Sequence, residues 1–120
     1  MTWKLAYHHD KEGIQQPGSP DIDYLIGHIF KGCPVRVLVV RGNDVLVYDT
    51  ITVGVPPSTP TVVIAILPLQ PSMKENCELR PVFGMSSIAI DTTGHYSQIN
   101  SSTRVRLSED HFEMKWFVED

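Results

Sequence analysis

Three residues of this sequence, Arg36, Tyr48 and Asp49, have side chains that could form a ligand site. Arg36 and Asp49 stand in two apolar segments that we predict to pair as a hairpin, and Tyr48 precedes Asp49. An arginine and a carboxylate within an apolar face are typical of the polar anchor of a small-molecule pocket. On an outward face, the same pair is a cross-strand ion pair that contributes little to stability. Both interpretations stay open, and we name all three as candidate ligand-binding residues.

A second candidate is the tripeptide His8-His9-Asp10, because residues two apart on a strand point to the same side and could share a metal ion. A zinc site needs three or four ligands, and His95 and His111 are the remote candidates for a third. The sequence has no Cys-x-x-Cys, no His-Glu-x-x-His and no calcium loop. We therefore predict no metal site and no cofactor.

Familiar catalytic signatures are absent from the sequence. It has no Gly-x-Ser-x-Gly elbow, no phosphate-binding Gly-x-x-x-x-Gly-Lys loop and no Gly-x-Gly-x-x-Gly. An enzyme would need an unfamiliar site, built from His8, Asp10, Arg36, Tyr48, Asp49 or His95. The two cysteines, Cys33 and Cys77, leave open either two thiols or one disulfide.

Length and composition bound the class of protein. A chain of 120 residues with 42% hydrophobic and 20% charged residues predicts a single globular domain over residues 1–120. The ten Lys and Arg are scattered and the net charge is −4, so we expect no nucleic-acid partner. No apolar run is long enough to predict a membrane span. The N-terminus lacks a signal-peptide pattern, which predicts a cytoplasmic protein, or a secreted or periplasmic one if a leader was trimmed.

One amphipathic helix is predicted at about residues 20–31. Ser19 suits the N-cap position, Pro20 the first helical position, and Gly32 the C-terminal stop. The apolar residues recur with helical spacing and form one stripe, which we expect to be buried: Ile22, Leu25, Ile26, Ile29 and Phe30. The opposite side, with Tyr24, His28 and Lys31, should face solvent.

The segments after the helix predict antiparallel strands. A two-residue turn at Gly42-Asn43 pairs Arg41 with Asp44 and Arg36 with Asp49, and one register places both charge pairs and the apolar pairs together. A second hairpin is predicted near the C-terminus, with Leu107 opposite Phe112. The first strand alternates, so Trp3, Leu5 and Tyr7 should share its buried face.

The predicted fold class is mostly β (α+β), with about eight antiparallel strands and the helix between the first and second strands. A long antiparallel sheet loses its exposed edges when it closes, so we expect a small barrel or a strongly curled sheet. The alternative is an open α+β sandwich with the helix on one face.

These features predict a binding or interaction module for a small apolar ligand or a protein partner. The strands from residue 35 to residue 67 have more apolar residues than one helix can cover. A homodimer that closes the surplus face is therefore expected, with Leu38, Val40, Val45 and Val47 in its interface. The alternatives are a structural homo-oligomer subunit and an enzyme with an unfamiliar His/Asp/Arg site.

Overall fold

The computed structural model describes residues 2–41, 44–54, 61–68, 87–98, 104–109 and 112–119. They form one helix and eight strands of a single antiparallel sheet. The helix α1 spans Ile22–Phe30. The strands are β1 (Trp3–His9), β2 (Val35–Arg41), β3 (Asp44–Gly54), β4 (Thr61–Pro68), β5 (Ser87–Asp91), β6 (His95–Gln98), β7 (Val105–Arg106) and β8 (Glu113–Glu119), and a 3₁₀ helix (Leu107–Glu109) follows β7.

The sheet is open. Its strands lie in the order β1-β8-β2-β3-β4-β5-β6-β7, and the two edge strands, β1 and β7, do not pair with each other within the described residues. The prediction of a small barrel or a strongly curled sheet is therefore wrong, because the sheet does not close, and the fold is a mostly β α+β arrangement. The two edge strands explain why the sheet stays open. β7 is only two residues long, and after β1 the chain turns back so that His9 forms a bridge with Gln15.

The ends of α1 are set by Asp21 and Gly32. The carboxylate of Asp21 accepts a hydrogen bond from the backbone N–H of Tyr24 at 3.1 Å, which makes Asp21 the N-cap. The prediction that Ser19 caps the helix is wrong, because the Ser19 hydroxyl bonds the carbonyl oxygen of Gln16 instead. Gly32 follows the C-cap with φ of +84°, where an L side chain is strained, so the predicted stop is confirmed.

The apolar stripe of α1 packs on one face of the sheet, as predicted. Its members lie in or against the core: Leu25, Ile26 and Ile29 are buried, and Ile22 and Phe30 are partly buried. Lys31 is exposed as expected. The prediction that His28 faces solvent is wrong, because its ring packs on Tyr24 and its Nδ1 lies 2.8 Å from the Tyr24 carbonyl oxygen.

The predicted register of the first hairpin is confirmed. The observed partners in β2 and β3 include Arg36 with Asp49, Val37 with Tyr48, Val39 with Leu46, and Arg41 with Asp44. The turn residues Gly42 and Asn43 lie outside the described residues. Alternate residues of β2 are fully buried against the helix side, and the residues between them are half-buried on the other face.

The predicted C-terminal hairpin is wrong. β7 pairs with β6, whereas β8 lies between β1 and β2 and pairs with both. Met114, Trp116 and Val118 of β8 are fully buried, and these three apolar side chains are better covered between two strands than at an edge of the sheet. At the end of β7, the Leu107 N–H bonds the carbonyl oxygen of Gly94 in the β5–β6 turn.

A bulge in β1 overturns the prediction for the first strand. The register shifts between Leu5 and Tyr7, so these two side chains point to opposite faces of the sheet although they are two residues apart. Tyr7 pairs with Trp116 and is buried on the helix side. Leu5 pairs with Phe117 and lies on the other face, as does Trp3.

Replacing Leu25 with Ala tests the packing of α1 on the sheet. Leu25 is fully buried, so Leu25→Ala should lower the free energy of unfolding by about 2 to 5 kcal/mol through lost burial and a residual cavity. Urea denaturation measures this change. The matched control is Lys31→Ala, an exposed position at the end of the same helix, which should change stability by less than about 0.5 kcal/mol. Equal effects of the two substitutions would contradict the packing described above.

Candidate functional site

The three candidate ligand-binding residues do not form one site. The guanidinium of Arg36 donates two hydrogen bonds to the Asp49 carboxylate, at 2.7 and 3.1 Å, and lies 4.5 Å from the ring centroid of Trp3. These residues are on the face opposite the helix. Tyr48 is only 4% exposed and points to the helix side, because successive residues of a strand face opposite ways. Two of the five N–H donors of Arg36 bond Asp49 as a fork, and the charge is paired, which indicates a structural role.

The residues considered for a metal site are also held by other partners. His8 Nε2 lies 2.8 Å from the Glu113 carboxylate. Asp10 accepts hydrogen bonds from the backbone N–H groups of Glu12 and Ile14, so it shapes the loop after β1. Among the residues described, no group of three or more His, Cys, Asp or Glu side chains could hold a metal ion. Cys33 is a free, half-buried thiol, and Cys77 and His111 lie outside the described residues.

A cavity of about 240 Å³ lies where the loop after β1, the start of α1, the β5–β6 turn and the end of β7 meet. We call it the helix-end cavity. Its lining residues are Tyr7, Gly13, Gln15, Ile22, Thr93, Gly94, Arg106, Leu107 and Ser108. None of them was a candidate in the sequence, since they come from four segments that the fold brings together.

Asp91 fixes the wall of this cavity at the β5–β6 turn. Its Oδ1 accepts hydrogen bonds from the backbone N–H groups of Thr93 and His95 and from the Thr93 hydroxyl, and its Oδ2 accepts from Arg104. Burial acts to raise the pKa of the Asp91 carboxyl, but the hydrogen bonds from Thr93 and Arg104 outweigh it and the pKa is lowered. Asp91 is therefore a charged anchor for the turn.

The Thr93 hydroxyl lies beside an aspartate and a histidine, as an activated nucleophile would, but its hydrogen bonds indicate a structural role. It lies 2.5 Å from Asp91 and 2.8 Å from His95 Nδ1, and the Arg104 guanidinium donates to it at 3.1 Å. A hydroxyl has one donor and two acceptor sites, so these three partners use its full capacity. In this arrangement Thr93 holds the turn together and has no capacity left to bond a substrate.

The opposite wall is the loop after β1. The Gly13 N–H donates to the Asp10 carbonyl oxygen and the Gln16 N–H to the His8 carbonyl oxygen, at 2.9 and 2.8 Å. Gly13 has φ of +80°, and a Cβ built there would overlap the carbonyl oxygen of Ser108. Only glycine allows this close approach of the loop to the 3₁₀ helix, which closes the cavity on that side.

Three polar side chains that line the cavity make no hydrogen bond or ion pair with another described residue, and they belong to Tyr7, Arg106 and Ser108. Tyr7 is 3% exposed and Arg106 is exposed. Burial raises the pKa of the Tyr7 phenol, so its hydroxyl stays protonated and can donate.

The glycine-containing turns at residues 10–13 and 91–94 could be recognised from the sequence, but no pattern in the sequence showed that the two turns meet at one cavity.

His9 lies behind Tyr7, with the ring centroids 5.4 Å apart. It is fully buried, and neither of its ring nitrogens has a hydrogen-bond partner among the described residues. Burial lowers the pKa of His9 from 6.5 to about 4, and the nearby Asp10 carboxylate only partly opposes this effect. His9 is therefore a neutral, unpaired imidazole in the core at pH 7.

Comparisons of the chain with family models, with curated proteins and with solved structures found no match. None of the helices in the described part of the chain is long and apolar enough to cross a membrane.

Acid titration tests the burial of His9. Its pKa is lower in the folded protein than in the unfolded chain, so its contribution to stability is complete above pH 6.5 and is lost as pH falls from 6.5 to about 4. The loss over this range should be about 3 kcal/mol. His9→Leu should remove that dependence, as measured by urea denaturation at successive pH values. The same slope in the parent and the variant would show that His9 is solvated.

Proposed function

We propose that this protein is a binding module that holds a small, largely apolar molecule in the helix-end cavity. The observation that carries the proposal is a cavity whose walls are fixed by the protein's own hydrogen bonds. Asp91 holds one wall and Asp10 the other. A site that is already formed loses little conformational entropy when a ligand binds, and most small-molecule sites are formed in this way.

The size and chemistry of the cavity limit what it can hold. Small-molecule sites commonly enclose about 300 to 1,000 Å³, and this one encloses about 240 Å³. Ile22, which is partly buried, offers apolar surface, while Tyr7 and Arg106 offer a few polar contacts. Such a lining suits a molecule with a small apolar body and a single polar end.

Self-association of the face opposite the helix stays a prediction. Three apolar side chains are half-buried there: Leu38, Val40 and Val47. The side chain of Val45 is not among those that the structure describes. The Arg36–Asp49 pair, with side chains 34% and 27% exposed, lies among them. Among described residues only Ile14 is a large hydrophobic side chain that is exposed, at 60%. The monomer therefore covers much of this face itself, and we place ligand binding ahead of self-association.

A screen of small molecules followed by nuclear magnetic resonance tests the cavity. With phenol, benzamide and benzoate as probes, binding should shift the backbone amide signals of Gly13, Thr93 and Gly94 together. Gln15→Trp should abolish these shifts, because Gln15 lines the cavity but is exposed, so a large side chain can block the space without disturbing the core.

The control for that screen is Lys31→Trp, which adds the same side chain at an exposed position at the other end of α1 and should leave binding unchanged. A ligand that binds should also raise the melting temperature of the parent protein by mass action. Shifts confined to residues outside the cavity, or no shifts with any probe at millimolar concentration, would contradict the proposal.

Sedimentation at micromolar concentration tests self-association separately. A homodimer formed by the face opposite the helix should dissociate in Leu38→Asp, because a half-buried apolar side chain at its centre would become charged. A monomeric mass for the parent protein would rule out this interface.

A further inference from the structure

Two of the three arginines whose side chains the structure describes are paired with a carboxylate, and the third is not. Arg36 holds the Asp49 carboxylate and Arg104 holds the Asp91 carboxylate. Arg106 makes no hydrogen bond or ion pair with another described residue, and it is the one arginine among them that lines the helix-end cavity. An arginine guanidinium can bind a carboxylate through two parallel hydrogen bonds. Arg106 has the same chemistry as Arg36 and Arg104, but it makes no such pair with a described residue.

The nearest acidic groups do not supply that partner. Asp91, at the end of β5 in the same sheet, already accepts hydrogen bonds on its two oxygens from Thr93, His95 and Arg104. Asp10, in the opposite wall, accepts from Glu12, Ile14 and Gln16. Among the described residues that line the cavity none is acidic, and Arg106 is the only charged one.

Tyr7 adds a second unsatisfied group. It lines the same cavity, is 3% exposed, and its hydroxyl bonds no described residue. The Tyr7 hydroxyl is therefore free to donate, and an acceptor on a bound molecule would give it a hydrogen-bond partner. A cation and a hydroxyl donor among the lining residues favour a ligand that carries acceptor oxygens.

The surroundings limit the charge of that ligand. Glu12, Asp21, Asp23 and Glu109 are exposed close by in sequence to the lining residues, although they do not line the cavity. Asp21 also caps the first turn of α1, so the helix end is already paired with a carboxylate. The exposed cations equally close in sequence are Lys11 and Arg104, and Arg104 is paired with Asp91. The surplus of acidic residues repels a dianion more strongly than a monoanion, which favours a carboxylate over a phosphate monoester.

We infer that the ligand of the helix-end cavity is a small monocarboxylic acid, whose carboxylate pairs with Arg106 and whose apolar body packs against Ile22. Tyr7 donates to an acceptor of the bound acid. This inference rests on the proposed function, because it names the class of molecule that the cavity holds.

The experiment compares matched probes by calorimetry and amide chemical shifts at pH 7: benzoate, its neutral analogue benzamide, and phenyl phosphate. Benzoate should bind the parent protein most tightly. Arg106→Gln should weaken benzoate binding about tenfold or more and leave benzamide binding nearly unchanged, because only the acid loses a charge-assisted pair. Tyr7→Phe should weaken benzoate binding severalfold. The control Lys31→Gln removes an exposed cation at the other end of α1 and should not change either affinity.

The outcomes separate this inference from the proposed function. Equal binding of benzoate and benzamide at the cavity, or a preference for benzoate that persists in Arg106→Gln, overturns the carboxylate assignment but leaves the cavity as a binding site. Tighter binding of phenyl phosphate overturns it in favour of a phosphate ligand. If none of the probes shifts the cavity residues, the proposed function fails together with the inference.

Discussion

The pairing of β8 with both β1 and β2 is the constraint on which the rest of the fold depends. It joins the first strand of the chain to the hairpin of β2 and β3, two parts that are separated in sequence by α1. It also places Met114, Trp116 and Val118 side by side on the face that the helix covers, and all three are fully buried. Without β8, β1 would have no strand partner in the described sheet and α1 would lie over a gap.

The bulge in β1 divides the residues of that strand between two roles. Before the shift, Trp3 lies on the face opposite the helix, where its ring stacks on the Arg36 guanidinium. After the shift, Tyr7 and His9 point towards the helix, and Tyr7 reaches the helix-end cavity. One extra residue in the strand therefore decides which side chains meet the cavity and which cover the opposite face.

Features set by neighbouring residues could be predicted from the sequence, and features set by distant ones could not. The β2–β3 register followed from charge pairs and apolar pairs within one hairpin, and the stripe of α1 followed from helical spacing. The position of β8 depends on how well the whole sheet covers Trp116, which no local pattern reveals. The same limit applies to the candidate site. Arg36 and Asp49 were found as a pair because one hairpin joins them, but Tyr48 was assigned to them although strand alternation puts it on the other face.

The polar groups of this protein show why the cavity could not be found by residue type alone. Arginine, aspartate and histidine occur both in the structural pairs and around the cavity, so their presence does not distinguish the two. The difference is whether their hydrogen-bonding capacity is used. The Asp91 network uses its donors and acceptors to hold a turn, and the Arg36–Asp49 pair does the same across two strands. Tyr7 and Arg106 keep theirs unused within the described structure, and the fold brings both to the same cavity. His9 is also unpaired but lies in the core, so an unused group points to a partner outside the protein only where it also lines a cavity, as Tyr7 and Arg106 do.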